Sequence, residues 1–148
     1  MTRLETSVRI ERPVEEVFDY VSDPLNFSQW NSAVRAVRTT SPRAGEVGSA
    51  YSMERDLPGG RARNELEIVA RERPSEFAVR TTSGPTPFVY RYRFSSENGA
   101  TAVVLDGTVE LEGAARLLAP VASRAVRKGV EDNFATLKKI LEVGDASA

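Results

Sequence analysis

Residues 10–34 read IERPVEEVFDYVSDPLNFSQWNSAV, and they hold the clearest start and stop signals in the chain. Pro13 ends the preceding strand and suits the first position of a helix, where its missing N–H leaves no hydrogen bond unmade. The residues VEEVFDYV then place apolar side chains at helical spacing, with acids in the first turn. Asp23 should end this helix, because a residue that precedes proline is disfavoured in the α region. A second short helix is predicted around Leu25–Trp30.

Segments with alternating apolar and polar residues lie on both sides of this stretch. One strand is predicted at Leu4–Ile10, and six more follow between Ala33 and Leu111, separated by turns such as LPGGR and SSENGA. Strands joined by short turns pair as an antiparallel meander. Because one face of the meander is apolar and the other is charged, the sequence predicts a sheet that is covered on one side.

The C-terminal segment from about Ala114 to Glu142 can supply this cover, since its apolar residues recur at intervals of three and four. We expect Phe134, Leu137 and Leu141 to pack on the sheet as core. Pro120 should kink the first part of the helix, because an interior proline removes a hydrogen bond and clashes with the preceding turn.

The predicted fold class is therefore α+β: a seven-stranded curved antiparallel sheet wraps a long C-terminal helix, and two short helices follow the first strand. A chain of 148 residues suits a single domain. We assign residues 1–142 to this domain and expect residues 143–148 to form a flexible tail.

Composition excludes several classes of function. The chain has no Cys and no His, which removes thiolate chemistry, the Ser-His-Asp triad and the commonest metal ligands. Lys and Arg number 20 against 21 Asp and Glu, without a basic block, so we expect no nucleic-acid partner. No segment has the apolar length of a membrane span or a signal peptide, and we expect a cytoplasmic protein without a cofactor or metal.

Two segments carry a resemblance to a known family. The stretch quoted first resembles the opening of the START-like (SRPBCC) superfamily, the helix-grip fold of Bet v 1-type allergens and polyketide cyclase/dehydrase-like proteins. Its V-F-x-Y-V-x-D-P-x-N-x-x-x-W pattern is filled here by Val17, Phe18, Tyr20, Val21, Asp23, Pro24, Asn26 and Trp30. The family's final N-x-x-x-L-K-x-x-L-E helix is filled by Asn133, Leu137, Lys138, Leu141 and Glu142. The resemblance implies a ligand cavity between the concave sheet and the last helix.

The residues themselves agree with a cavity, because large aromatic side chains on the strands face small residues on the helix. A mostly apolar pocket with a few polar groups is the usual form of a small-molecule site. The predicted ligand-binding residues are Tyr51, Met53, Arg55, Asn64, Leu66, Thr81, Tyr90, Tyr92, Val103, Leu118, Val121 and Ala125.

Several of these residues have an alternative structural interpretation. The tyrosines could be ordinary core, although a buried phenol needs a hydrogen-bond partner. Asn64 and Thr81 could make hydrogen bonds within the core instead of meeting a ligand. Arg55 could lie in solvent at a strand end, or at the pocket mouth, where it would hold the carboxylate or phenolate of a ligand.

Three functions remain open at this point. The first is the binding of a hydrophobic or aromatic small molecule, lipid-like or polyketide-like, without catalysis. The second is a polyketide cyclase, aromatase or dehydratase that positions its substrate and polarises a carbonyl with tyrosine hydroxyls or Arg55. The third is an accessory domain that contacts another protein. The sequence does not distinguish a monomer from a dimer.

Overall fold

The computed structural model describes residues 2–57, 59–111 and 114–146, and the side chains within them except those of residues 114, 115 and 144–146. Its sheet has seven strands in the spatial order β1-β7-β6-β5-β4-β3-β2, and every neighbouring pair is antiparallel. The strands are β1 (Thr2–Ile10), β2 (Val34–Thr39), β3 (Ala50–Leu57), β4 (Gly60–Glu72), β5 (Glu76–Ser83), β6 (Phe88–Glu97) and β7 (Ala100–Val109). The predicted α+β fold with a curved antiparallel meander is confirmed.

Two short helices follow β1, as the proline pattern predicts. Helix α1 (Val14–Val21) begins after Pro13 and buries its apolar side against the core. A single 3-10 turn (Pro24–Asn26) leads into α2 (Phe27–Trp30). The carboxylate of Asp23 accepts a hydrogen bond from the backbone N–H of Leu25 at 3.0 Å, so this acid caps the turn that its proline creates.

The C-terminal segment differs from the prediction of one kinked helix. It forms α3 (Ala114–Leu117) and α4 (Ala119–Ala146), which are separated at Leu118. Pro120 is the second residue of α4, where no backbone N–H is required, so this proline starts a helix instead of bending one. Helix α4 also continues past Leu141, so the predicted tail begins inside it, and residues 147 and 148 lie outside the described residues.

The second half of α4 is the part that closes the core. Phe134, Leu137 and Leu141 are buried, with exposed fractions of 2%, 0% and 7%, as predicted. Polar contacts fasten the same end: Lys138 Nζ donates to the Arg9 carbonyl at 2.6 Å, and the Glu142 carboxylate accepts from the Glu11 N–H at 2.9 Å. The end of the helix is therefore fixed to the end of β1. The first half is also joined to β1, since Arg127 Nη1 donates to the Glu5 carbonyl at 3.0 Å, and its inner side forms one wall of a cavity.

Candidate functional site

A partly open cavity of about 470 Å³ lies between the sheet and the first half of α4. This volume is within the range of about 300–1,000 Å³ that small-molecule sites occupy. The cavity is lined by Phe27, Trp30, Asn31, Ala33, Met53, Arg55, Asp56, Leu57, Val79, Thr86, Phe88, Tyr90, Tyr92, Val109, Leu111, Ala122, Ala125, Val126, Gly129, Val130 and Asn133.

The sheet side of the cavity is aromatic. The ring centroids of Phe88 and Tyr90 lie 4.7 Å apart, and the Tyr92 ring lies edge-on to both Tyr90 and Trp30 at 6.5 and 6.2 Å. Such tilted and edge-on pairs are favourable aromatic geometries, so this wall is a rigid surface. Opposite it, α4 presents small residues, chiefly Ala122, Ala125 and Gly129. The predicted mismatch of size between strand and helix side chains is present, and the gap that it leaves is the cavity.

Gly107 on β7 has no side chain, and this leaves room for the Tyr90 ring to pack against the strand backbone as part of the aromatic wall. The two residues are paired across β6 and β7. A Cβ atom on Gly107 would lie 2.7 Å from Tyr90 Cδ1 and 2.9 Å from Cε1, closer than carbon atoms pack. Glycine is required here by a close approach of a ring to the backbone.

We expect Gly107→Ala to lower the free energy of unfolding by about 1–3 kcal/mol, because overpacking forces the Tyr90 ring to move. Urea unfolding followed by circular dichroism measures this loss. Gly99→Ala is not a suitable control, because Gly99 has a positive φ of 86° that alanine tolerates poorly. Ala102→Gly on the same strand is better matched, and its effect should be smaller. An alanine at position 107 that leaves stability unchanged would show that the ring has room.

Two phenolic hydroxyls of the cavity make no internal hydrogen bond. Within the described part of the chain, the hydroxyls of Tyr90 and Tyr92 have no hydrogen-bond partner, although both side chains line the cavity. Burial raises the pKa of Tyr90 to about 12, against an opposing effect of the Arg55 charge. Burial also raises the pKa of Tyr92, and Tyr90 adds to the rise. Both phenols are therefore protonated at neutral pH and can act as hydrogen-bond donors.

Arg55 is the cation of the cavity, and its side chain is half-buried. Its Nε donates to Asn64 Oδ1 at 2.9 Å, and its Nη2 donates to the carbonyls of Pro85 and Thr86 at 3.2 and 3.5 Å. The guanidinium carbon lies 5.4 Å from the centroid of the Phe88 ring. Burial lowers the pKa of Arg55, and the nearby Tyr90 opposes this effect. Of the two structural alternatives, the position at the cavity wall is the one observed.

The predicted ligand-binding residues divide into those that the structure brings to the cavity and those that it places elsewhere. Met53, Arg55, Tyr90, Tyr92 and Ala125 line the cavity. Whether they contact a ligand stays a prediction, but their common location is the one expected.

A second group of predicted residues is packed in the core beside the cavity. Leu66 and Val103 are almost fully buried, at 1% and 0% exposure. The hydroxyl of Tyr51 accepts a hydrogen bond from the backbone N–H of Gly45 at 2.7 Å, so a loop satisfies this phenol. The Thr81 hydroxyl bonds to the backbone of Phe88, accepting from its N–H at 3.1 Å.

Asn64 also lies behind the cavity wall. It is fully buried, and its side-chain amide donates to the carbonyls of Ser83 and Pro85 at 3.2 and 2.9 Å while its oxygen accepts from Arg55. The hydrogen-bonded interpretation of Asn64 and Thr81 therefore matches the structure. Asn64 positions the cavity arginine and does not itself line the cavity.

Leu118 and Val121 are placed differently from the prediction. They are 60% and 62% exposed and do not belong to the cavity wall, and Leu117 is 86% exposed. The prediction assumed one continuous helix from Ala114, in which Leu118 and Val121 would face the sheet. The helix is interrupted at Leu118, so the residues after the break face other directions than the continuous helix would give them. The inward side of α4 is set instead by Ala122, Val126 and Gly129, one helical turn apart.

Several wall residues were missed or given only a minor place by sequence reasoning. Asn133 is 9% exposed, and its Oδ1 accepts from the backbone N–H of Ser32 at 3.1 Å, which joins α4 to the segment after α2. Its position one turn after Val130, on the same side of the helix, was the signal that could have found it. Trp30 was named only as part of the family pattern and not among the ligand-binding residues, yet it lines the cavity, and its buried Nε1 has no hydrogen-bond partner among the described residues.

Across residues 2–57, 59–111 and 114–146, no helix has the length and apolar character needed to cross a membrane. Among the same residues, no cluster of acidic side chains could hold a metal ion. The polar and charged lining residues of the cavity are the two tyrosines, Arg55, Asp56, Thr86, Asn31 and Asn133, and the other lining residues are apolar or aromatic.

Comparisons with known proteins identify the family. No protein of curated function matches the sequence significantly. The solved structure of TTHA0849 from Thermus thermophilus superposes with a TM-score of 0.82 at 18% identity, covering 99% of this chain and 100% of that one. A START superfamily protein from Mycobacterium smegmatis gives a TM-score of 0.66 at 15% identity, over 95% and 94% of the two chains.

A di-domain ARO/CYC protein shares the same fold. The di-domain ARO/CYC StfQ from the steffimycin biosynthetic pathway gives a TM-score of 0.76 at 11% identity, and it covers 99% of this chain but 52% of StfQ. The sequence family described as "Polyketide cyclase / dehydrase and lipid transport" matches residues 1–142, nearly the whole chain. The chain thus belongs to the polyketide cyclase/dehydrase and lipid transport family, whose START-like fold its structure shares.

Proposed function

We propose that this protein binds a hydrophobic or aromatic small molecule in the cavity between the sheet and α4, and that binding, without catalysis, is its function. The observation that carries the proposal is the preformed gap of about 470 Å³ between an aromatic wall and a wall of small residues. Protein interiors are close-packed, so a gap of this size is not an ordinary feature of a core. Its apolar lining favours a ligand whose body is apolar.

Fluorescence titration with N-phenyl-1-naphthylamine, an uncharged probe that brightens in apolar surroundings, tests this proposal. We expect saturable binding of one probe per chain. Val121→Ser is the matched control, because it removes an exposed apolar side chain that does not line the cavity. Binding to the variant should equal binding to the wild type. If the probe does not bind, or if Val121→Ser removes the signal, the carrier proposal is wrong and an accessory protein-interaction role takes its place.

A second candidate function is a polyketide cyclase, aromatase or dehydratase. It is supported by the two unbonded phenolic donors of Tyr90 and Tyr92 in the cavity and by the similarity to the ARO/CYC StfQ. Protonated phenols could stabilise a developing oxyanion on a carbonyl substrate. Under this alternative, Tyr90→Phe or Tyr92→Phe would slow the turnover of an aromatic polyketide without changing its binding. We expect binding without turnover, since the chain has no histidine to transfer protons.

The location, the partners and the domain assignment of this protein are inferred from its sequence. A cytoplasmic location, the absence of a nucleic-acid partner and the assignment of residues 1–142 to one domain stay predictions. Native mass spectrometry of the purified protein would report the oligomeric state and the mass of any co-purified ligand together.

A further inference from the structure

Among the described residues, Arg55 has no counter-ion of the kind that a half-buried arginine normally has. No carboxylate of the described residues forms an ion pair with it, although the cavity wall also contains Asp56. The Asp56 carboxylate is already engaged outside, where it accepts from Arg35 Nη1 at 3.2 Å. Apart from Asp56, Thr86 and two asparagines, the other lining residues are apolar or aromatic, and the Phe88 ring lies beneath the guanidinium. A positive charge therefore faces the cavity without internal compensation.

The side chain of Arg55 is held from behind by neutral groups. The Asn64 side-chain oxygen accepts a hydrogen bond from the Nε–H of Arg55, and two carbonyls of the β5–β6 loop accept from its Nη2. Gly84 allows this loop to pack directly on Asn64: it has a φ of 102°, and a Cβ atom there would lie 2.7 Å from Asn64 Nδ2. These contacts fix the orientation of the guanidinium, but they leave Nη1 without a hydrogen bond within the described part of the chain.

The charge of Arg55 is not needed for these contacts, because carbonyl and amide oxygens can be satisfied by neutral donors. Placing a cation in an apolar wall costs free energy of solvation, and such charges are normally paired. A ligand anion is the natural partner, since arginine matches a carboxylate with two parallel N–H donors and a charge-assisted hydrogen bond is about twice as strong as a neutral one.

We propose that Arg55 is the anion-binding residue of the cavity and that the ligand class is an apolar or aromatic carboxylic acid, bound as the carboxylate. This inference rests on the proposed binding function and adds the chemical class of the ligand. The apolar body of the ligand lies between the Tyr92 wall and Val126, and its carboxylate meets the guanidinium. Tyr90 lines the same cavity, and its ring lies 4.7 Å from the Phe88 ring beneath the guanidinium, so its hydroxyl supplies a second donor to the same carboxylate.

Two ligands of nearly equal shape test the assignment: 2-naphthoate and 2-naphthamide, which share one aromatic frame and differ in charge. Each displaces bound N-phenyl-1-naphthylamine from the wild-type protein at neutral pH, where the acid is ionised. We expect half-displacement by the carboxylate at a concentration about tenfold lower than by the amide, as a charge-assisted contact implies. Equal displacement, or stronger displacement by the amide, overturns the assignment.

Substitution of Arg55 then tests whether this residue causes the preference for 2-naphthoate over 2-naphthamide. Arg55→Gln should lower the affinity for 2-naphthoate about tenfold and leave that for 2-naphthamide and the neutral probe within about twofold. Arg38→Gln is the matched control, because it removes the same charge from an exposed position on β2, and it should change neither affinity. If Arg55→Gln does not fold, Arg55→Lys serves instead. Lysine keeps the charge but loses the planar fork, so 2-naphthoate affinity should fall several-fold while the probe still binds.

Probe binding tests the proposed binding function, and the carboxylate preference tests the role of Arg55, so the two can fail separately. If the neutral probe does not bind the wild type, the binding function fails, and the ligand class fails with it. If the probe binds but the carboxylate has no advantage, or if the advantage survives Arg55→Gln, the binding function stands and the role of Arg55 is refuted.

Discussion

Replacing Phe134 by alanine should destabilise the protein by about 3–5 kcal/mol, the usual cost of removing a buried aromatic ring. The Phe134 side chain is 2% exposed and lies where α4 meets both the sheet and α2. Its ring stacks on Trp30, with centroids 6.4 Å apart and planes at 27°, and lies 6.3 Å from the Tyr92 ring. The substitution therefore opens a void and also removes two aromatic pairs, each worth about 0.5–1.5 kcal/mol beyond burial.

Guanidinium unfolding followed by far-ultraviolet circular dichroism measures this loss, without using the fluorescence of Trp30, which Phe134 contacts. Val143→Ala provides the matched control, because Val143 lies on the same helix but is 60% exposed. Its change in stability should stay within about 0.5 kcal/mol. A Phe134 variant as stable as the Val143 variant would show that α4 is not anchored through this ring, and the account of the core would be incorrect.

Gly129→Trp should abolish binding of the neutral probe while leaving the fold intact. Gly129 lines the cavity in the interior of α4, and a Cβ atom placed on it meets nothing within 4 Å apart from its chain neighbours and the adjacent helix backbone. An indole ring attached there has open space to occupy, and the apolar cavity is the favourable place for it. The helix itself should gain a smaller amount than the about 0.5–1 kcal/mol that alanine gives in place of glycine, because tryptophan is a poorer helix former than alanine.

Gly129→Ala is the control for this substitution, since it removes the same glycine but adds only a single methyl group. We expect the alanine variant to bind the probe about as well as the wild type and the tryptophan variant to show no saturable signal. Thermal unfolding of both proteins should give melting temperatures at or above the wild-type value. Equal probe binding by the two variants would mean that the probe does not sit beside Gly129.

The sheet was predictable because its signals are local. On β6, alternating residues point to the core, and Phe88, Tyr92 and Phe94 are indeed buried. A period of two fixes which side chains face inward once a strand is recognised. The same reasoning held for Phe134 and Leu137 on α4, where the helical period is continuous.

The site was less predictable because it depends on distant contacts and on one helix break. Leu118 and Val121 were assigned to the wall by extending a helical phase through a point where the chain interrupts the helix. Tyr51 was expected to leave its hydroxyl for a ligand, but a backbone N–H from a neighbouring loop satisfies it. The position of Arg55 follows from Asn64 and the loop at Pro85, which are brought together only by the folded sheet.

A crystal structure of the wild-type protein with N-phenyl-1-naphthylamine bound shows whether the cavity is the binding site, because it locates the apolar ligand. We expect the probe inside the cavity, between the Tyr92 ring on the sheet and Val126 on α4, without contact to Leu117 or Val121. A probe found on the exposed side of Leu117 and Val121, with side chains filling the space beside Tyr92, would contradict this expectation.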